Sequence, residues 1–116
     1  MKTILELEEL VRLFCTERDW DQFHKPKDLA IGVSTEANEL LEIFRFKSND
    51  EIIGLLKNHK YLEKIQDELA DVLFFLLRFS QMNKINLEES LIKKISKNAL
   101  KYPVEKSKGS NKKYNE

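Results

Sequence analysis

Residues 60–82, KYLEKIQDELADVLFFLLRFSQM, decide the fold. The run holds no glycine or proline, and its apolar residues recur every three or four positions, so it predicts a long helix. With Glu68 set at zero on a helical wheel, Phe75, Phe79, Val72, Ile65 and Tyr61 all lie within about 60° of it. Glu68 therefore points into an apolar face. Asp71, one turn on, lies at the margin of that face beside Lys64 and Arg78. The stretch from Val72 to Leu77 is apolar all round, which places this helix at the centre of the core.

The segments on either side are also helical. Thr3 can cap a first helix to about Arg18, with Leu7, Leu10, Val11 and Phe14 on its apolar stripe. The segment Asp19-Trp20-Asp21-Gln22-Phe23-His24-Lys25-Pro26 reads as a structured loop. Asp28 can cap a second helix over about Leu29 to Phe46. Ser48-Asn49-Asp50 is a break, where Asn49 or Asp50 can cap a short helix through Leu56. Asn86 caps a last helix, with Glu89 at capping-box offset, and that helix ends near Tyr102-Pro103. Residues 1–103 are expected to form one all-α domain, and 104–116 an irregular, Lys-rich tail. Three glycines and two prolines are too few for a turn-rich β fold.

Composition narrows the function. The chain has 20 basic and 20 acidic residues, so it lacks the basic excess expected of a binder of polymeric nucleic acid. A content of 34% charged and 41% hydrophobic residues fits a soluble globular protein. The single cysteine, Cys15, excludes an intramolecular disulfide framework and reads as a small packing residue in a reducing compartment. No signal peptide opens the sequence and no apolar run could span a bilayer, so a cytoplasmic protein without a membrane partner is expected. A chain this short buries a modest core, which makes sharing one with other copies a route to stability.

The second helix repeats the anomaly of the long one. Glu36 falls about 20° from Leu29, inside a stripe with Val33, Leu40 and Ile43, and Glu39 flanks it. Buried carboxylates are costly unless paired or bound to a cation. Two pairs at i and i+3, on inner faces of helices that could be antiparallel neighbours, can share one site for Mg²⁺ or Mn²⁺. The same inward acids could instead be salt-bridged to Lys64 or Arg45, which would suit a non-catalytic helical interaction module. Asn98 lies in line with Leu87, Leu91 and Ile95, and Lys94 precedes it by one turn. This pair could hold a phosphate oxygen, or Asn98 could bond a backbone carbonyl. Trp20 and Phe23 could stack on a base or simply anchor the loop. Neither His24 nor His59 reads as a catalytic base.

The ensemble resembles a known family, the MazG-like all-α nucleoside triphosphate pyrophosphohydrolases, and within it the small dCTP pyrophosphatase branch. The likeness rests on Glu36-Ala37-Asn38-Glu39, 28 intervening residues, and Glu68-Leu69-Ala70-Asp71. Arg18-Asp19-Trp20-Asp21-Gln22-Phe23-His24 precedes the first motif. Asn98, Tyr102-Pro103, Gly109-Ser110 and Lys113-Tyr114 follow the second.

The resemblance implies a four-helix, bundle-like fold that assembles into homodimers or homotetramers. Glu36, Glu39, Glu68 and Asp71 would hold Mg²⁺, with Mn²⁺ as a substitute. A nucleoside triphosphate, such as dCTP or a modified pyrimidine nucleotide, would be cut to monophosphate and pyrophosphate in nucleotide-pool house-cleaning; the resemblance does not single out the base, and Glu39, at the edge of its apolar stripe, is the candidate. Trp20 would wall the base, with His24 in the same motif. Lys94 and Asn98 would contact phosphate or sugar, with Tyr102 nearby. Phe46 stands where the branch has a second base-site Trp, and Phe75 where it has an inward Tyr. The loss of a hydroxyl partner at 75 would make discrimination between bases less sharp. A relative acting on dUTP or on a phosphoribosyl-ATP intermediate is the neighbouring reading.

Overall fold

The computed structural model describes residues 1–113. Tyr114 and the rest of the expected tail lie outside them. The order is α1 (Ile4–Glu17), a 3₁₀ turn (Asp21–Phe23), α2 (Pro26–Phe44), α3 (Asn49–Leu56), α4 (His59–Met82), α5 (Leu87–Lys101) and α6 (Val104–Ser107), with no strand among the described residues. The backbone forms two compact units, Met1–Lys84 and a second beginning at Ile85.

Local chemistry sets the helix starts. Thr3 accepts from the Glu6 amide and the Glu6 carboxylate accepts from the Thr3 amide, closing a capping box. Ser48 does the same with Glu51, so Ser48, rather than Asn49 or Asp50, caps α3. Asn58 takes the amides of Lys60 and Tyr61 at the start of α4, and Asn86 that of Glu89 at the start of α5. α2 begins earlier than the sequence predicts. Pro26 occupies its first turn, where a missing N–H costs nothing, and Asp28 sits two residues further in as a first-turn acid instead of a cap. Val104–Ser107 adds a single helical turn to a segment read as irregular; Pro103, with φ of −63°, presets its start.

In the first unit α4 is the hub. α2 packs along it, and α1 and α3 also rest on it. Val11, Cys15, Leu29, Ile43, Ile65 and Leu77 are buried at these seams. Each is worth roughly 1.5–3 kcal/mol relative to an exposed position if it is a full-sized aliphatic. Cys15 is sealed in, and burial pushes its thiol pKa up, as a packing role requires. Polar ties add register: Gln81 donates to the Glu8 carbonyl at 2.7 Å, and Ser80 lies 3.0 Å from the Glu8 carboxylate. α2 and α4 approach closely at Gly32. A Cβ there would meet the Phe75 ring at 2.5 Å.

Helix α5 has no buried residue. Leu91, Ile92 and Ile95 are more than half exposed on the single chain.

Candidate metal centre

Residues 32 to 39 of α2 run against residues 75 to 68 of α4, so the two helices are antiparallel where they meet. This brings Glu36, Glu39, Glu68 and Asp71 together, each offering one carboxylate oxygen, all within 4.8 Å of one another. Glu36 and Glu68 are half-buried, Glu39 and Asp71 exposed. Oε2 of Glu36 and Oε2 of Glu68 are buried without a hydrogen-bond partner.

Four acids this close repel one another. The Glu36 carboxyl is pushed up to about 7, first by burial and then by Glu39, Asp71 and Glu68. Glu68 is raised for the same reasons, with the Lys64 charge opposing. Glu39 lies within reach of a shared proton with either. When all four are ionised that proton is gone and the two buried oxygens are orphaned. Orphaned buried acceptors are rare and costly. A hard divalent cation fits the donor set: oxygens about 2 Å from Mg²⁺ stand about 4 Å apart across it. The salt-bridged alternative fails on geometry. Arg45 is engaged with Glu42 at 3.0 Å, and among the described residues no ion pair reaches the four acids.

A wall of rings runs from this cluster. Phe75, one turn beyond Asp71, packs edge-on to Phe74 at 5.6 Å, Phe74 to Phe14 at 5.9 Å, and Phe14 to Trp20 at 5.6 Å. Trp20 is 39% exposed, so its ring is anchored on one side and open on the other. His24 sits 6.2 Å from it.

Sequence reading missed what holds that loop. Arg78 was placed at the margin of α4, yet it is 1% exposed. Its guanidinium donates to Nδ1 of His24 at 2.7 Å and to Oε1 of Gln81 at 2.7 Å, and pairs with the Asp21 carboxylate. The pattern of an acid in the Trp20 loop and an arginine inside an apolar run was the available signal, since a buried guanidinium needs a partner. With Nδ1 accepting, the neutral His24 carries its proton on Nε2. Burial and the Arg78 charge lower its pKa.

Phe46 stands alone beyond α2. It is 92% exposed, at a φ of +64°, with the Arg45 guanidinium 4.7 Å from its ring centre. Lys94 and Asn98 fall on successive turns of α5 in the second unit, and Tyr102 caps the end of that helix. Asn98 is half-buried and its carbonyl accepts the Tyr102 amide at 2.8 Å.

A model of the MazG-like family matches residues 31–116. The chain is 38% identical over 111 residues to dCTP pyrophosphatase 1 of Mus musculus, covering 93% of this chain and 65% of that one. It is 33% identical over 113 residues to dCTP pyrophosphatase 1 of Homo sapiens, covering 95% and 66%. It thus spans just under two thirds of the length of these curated relatives. A crystal structure of a pyrophosphatase from Archaeoglobus fulgidus superposes with a TM-score of 0.81 at 38% identity, covering 89% of this chain and 94% of that one. The fold, the paired acidic motifs on α2 and α4, and this match over most of the chain agree: the chain belongs to the MazG-like family.

Proposed function

We propose that the protein hydrolyses (deoxy)nucleoside triphosphates, dCTP or a modified pyrimidine nucleotide among them, to nucleoside monophosphate and pyrophosphate, with Mg²⁺ as its metal. The observation that carries this is the convergence of four carboxylates with two buried oxygens lacking partners. The relatives' names, dCTP pyrophosphatase and pyrophosphatase, support the reaction class. Glu36, Glu39, Glu68 and Asp71 would hold the ion. A bound divalent cation supplies charge neutralisation at the phosphates and a lowered pKa for nearby water.

The chain's own residues do the rest. Glu39, exposed at the edge of the cluster, takes the proton of the attacking water. The water oxygen bonds to the α-phosphorus as the bond to the bridging oxygen breaks, and pyrophosphate leaves. The open side of Trp20 stacks on the base, with His24 Nε2–H available as a donor. Phe46 offers a second ring face. Phe75 lines the wall without a hydroxyl to read a base edge, so weak base selectivity follows. Lys94 and Asn98 contact phosphate or sugar, with Tyr102 beside them. The catalytic domain is taken as residues 1–103, acting in a homo-oligomer in the cytoplasm.

Incubation with each common triphosphate and Mg²⁺ tests the reading: pyrophosphate is expected, and Mn²⁺ should substitute. Release of single phosphates would contradict attack at the α-phosphorus. Glu39→Gln and Asp71→Asn should keep the helical circular-dichroism spectrum and lose at least about tenfold in rate. Near-normal turnover in both would remove them from the site.

A further inference from the structure

Position 78 lies on α4 between Leu77 and Phe79, in a run where an apolar side chain would pack without the desolvation cost of a charge. Arg78 is buried there all the same, and each of its three nitrogens has its own acceptor. Nε donates to His24 Nδ1 at 2.7 Å, Nη1 donates to Gln81 Oε1 at 2.7 Å, and Nη2 meets the Asp21 carboxylate. Gln81 is fixed in turn by its own amide, which donates to the Glu8 carbonyl of α1 at 2.7 Å. The guanidinium therefore grips both ends of the 3₁₀ turn, Asp21 at its first residue and His24 just past its last. Trp20 immediately precedes that turn, and its carbonyl accepts the Phe23 amide at 2.9 Å.

A neutral imidazole has one donor and one acceptor nitrogen, and its partner decides which is which. A guanidinium can only donate. Asp21 alone could neutralise Arg78, so charge balance does not require the His24 contact. What that contact adds is a fixed ring state. We propose that Arg78 is a positioning residue for base recognition, holding His24 as a neutral ring whose only donor is Nε2–H, with the Trp20 ring centre 6.2 Å away. The ligand so selected is a base edge that presents an acceptor, a carbonyl oxygen or an unprotonated ring nitrogen. This role presupposes the base contacts of Trp20 and His24 proposed above.

Protonation would destroy the arrangement, because an imidazolium has no lone pair for Arg78. The groups around His24 pull both ways. Burial and the Arg78 charge disfavour the cation, while Asp21 of the turn and Asp28 of α2 favour it. The first two prevail, so His24 stays neutral below the ordinary histidine value. The donor is thereby preserved over a pH range in which a free histidine changes charge.

Two measurements test the proposal. His59→Gln leaves His24 as the single histidine. Long-range ¹H–¹⁵N spectra of that protein should show Nδ1 unprotonated and Nε2 protonated to below pH 6.5. With Arg78→Met added, His24 should titrate nearer the ordinary value, about 6.5. Binding of the four common deoxynucleoside monophosphates in Mg²⁺ is then followed through quenching of Trp20, the only tryptophan. At pH 8 Arg78→Met should weaken it about three- to tenfold, as loss of an oriented hydrogen bond does. The loss should shrink toward pH 5.5, where protonation guarantees a proton on Nε2, and this shrinkage should vanish in His24→Phe/Arg78→Met. Each affinity is taken as a ratio to wild type at the same pH, so titration of the ligand's own phosphate cancels. Arg78→Lys, whose one ammonium cannot span both ends of the turn, should fall between the two and serves if the methionine variant does not fold. A loss equal at every pH would reduce Arg78 to a support of the loop and overturn the proposal. Unchanged titration of His24 in Arg78→Met, or no quenching of the wild type by any of the four nucleotides, would do the same. Binding as expected by a protein that cleaves no triphosphate would defeat the hydrolase reading alone.

Discussion

Glu36 and Glu68 set the pH response of the molecule. Both hold their protons more tightly folded than unfolded, so protons favour the folded state. That contribution is complete below the unfolded value of 4.5 and is lost as pH rises through the folded value, about 7 for Glu36. In chelator, Tm should therefore rise as pH is lowered from 8 to 5, and Glu36→Gln should flatten the slope. With saturating Mg²⁺ the trend reverses, because the ion stabilises the ionised cluster. A chelated protein whose Tm falls steadily over that range would contradict the cluster as described. Arg78 acts at the same scale. Arg78→Met removes the donors for His24 and Asp21 and should cost about 1–3 kcal/mol. Trp20 is the only tryptophan, so its emission reports the loop directly. A red shift is expected, with partial recovery in Arg78→Lys; unchanged emission in both would mean that Arg78 does not hold the loop.

Among the elements, the pairing of α2 with α4 turns on one missing side chain. A glycine inside a helix costs about 1 kcal/mol against alanine, so Gly32 runs against local propensity. Its close approach to Phe75 explains it. Gly32→Ala should gain propensity but displace the Phe75 ring, with a net loss of about 1–3 kcal/mol by urea melts. Stabilisation instead would show that the ring yields freely. Apolar periodicity made all the long helices legible, and with them the inward acids, because Glu36 and Glu68 broke otherwise clean stripes. It could not reveal Arg78, since its three partners include two from a loop more than fifty residues away in sequence. It misplaced the start of α2, where Pro26 outcompeted Asp28 as the opening signal. It missed Ser48 because three polar residues in a row offered equivalent caps. Phe46 was legible as an aromatic but not as a residue in left-handed backbone, a conformation that costs a bulky side chain roughly 1–2 kcal/mol.

At the scale of the whole molecule, the isolated chain leaves too much apolar surface in water. Leu69, Leu73 and Leu76 line one stripe of α4, each at least 40% exposed. Beside them Leu7, Leu10, Val11 and Phe74 border an apolar groove of about 200 Å³ between α1 and α4. Surfaces of this kind on soluble proteins mark interfaces. Light scattering should return a dimer or tetramer mass, and Leu73→Glu should shift it toward the single-chain 13.7 kDa. A monomer at micromolar concentration would oppose the assembly implied by the family resemblance. The crowded carboxylates have one more consequence, for calorimetry of the ion itself. The Glu36 carboxyl, pushed up to about 7, is partly protonated near neutral pH, so capture of a cation expels protons from it to the solvent. The heat recorded for magnesium uptake should then differ between Pipes and Tris while the affinity stays the same, and the slope against buffer ionisation enthalpy counts the protons released.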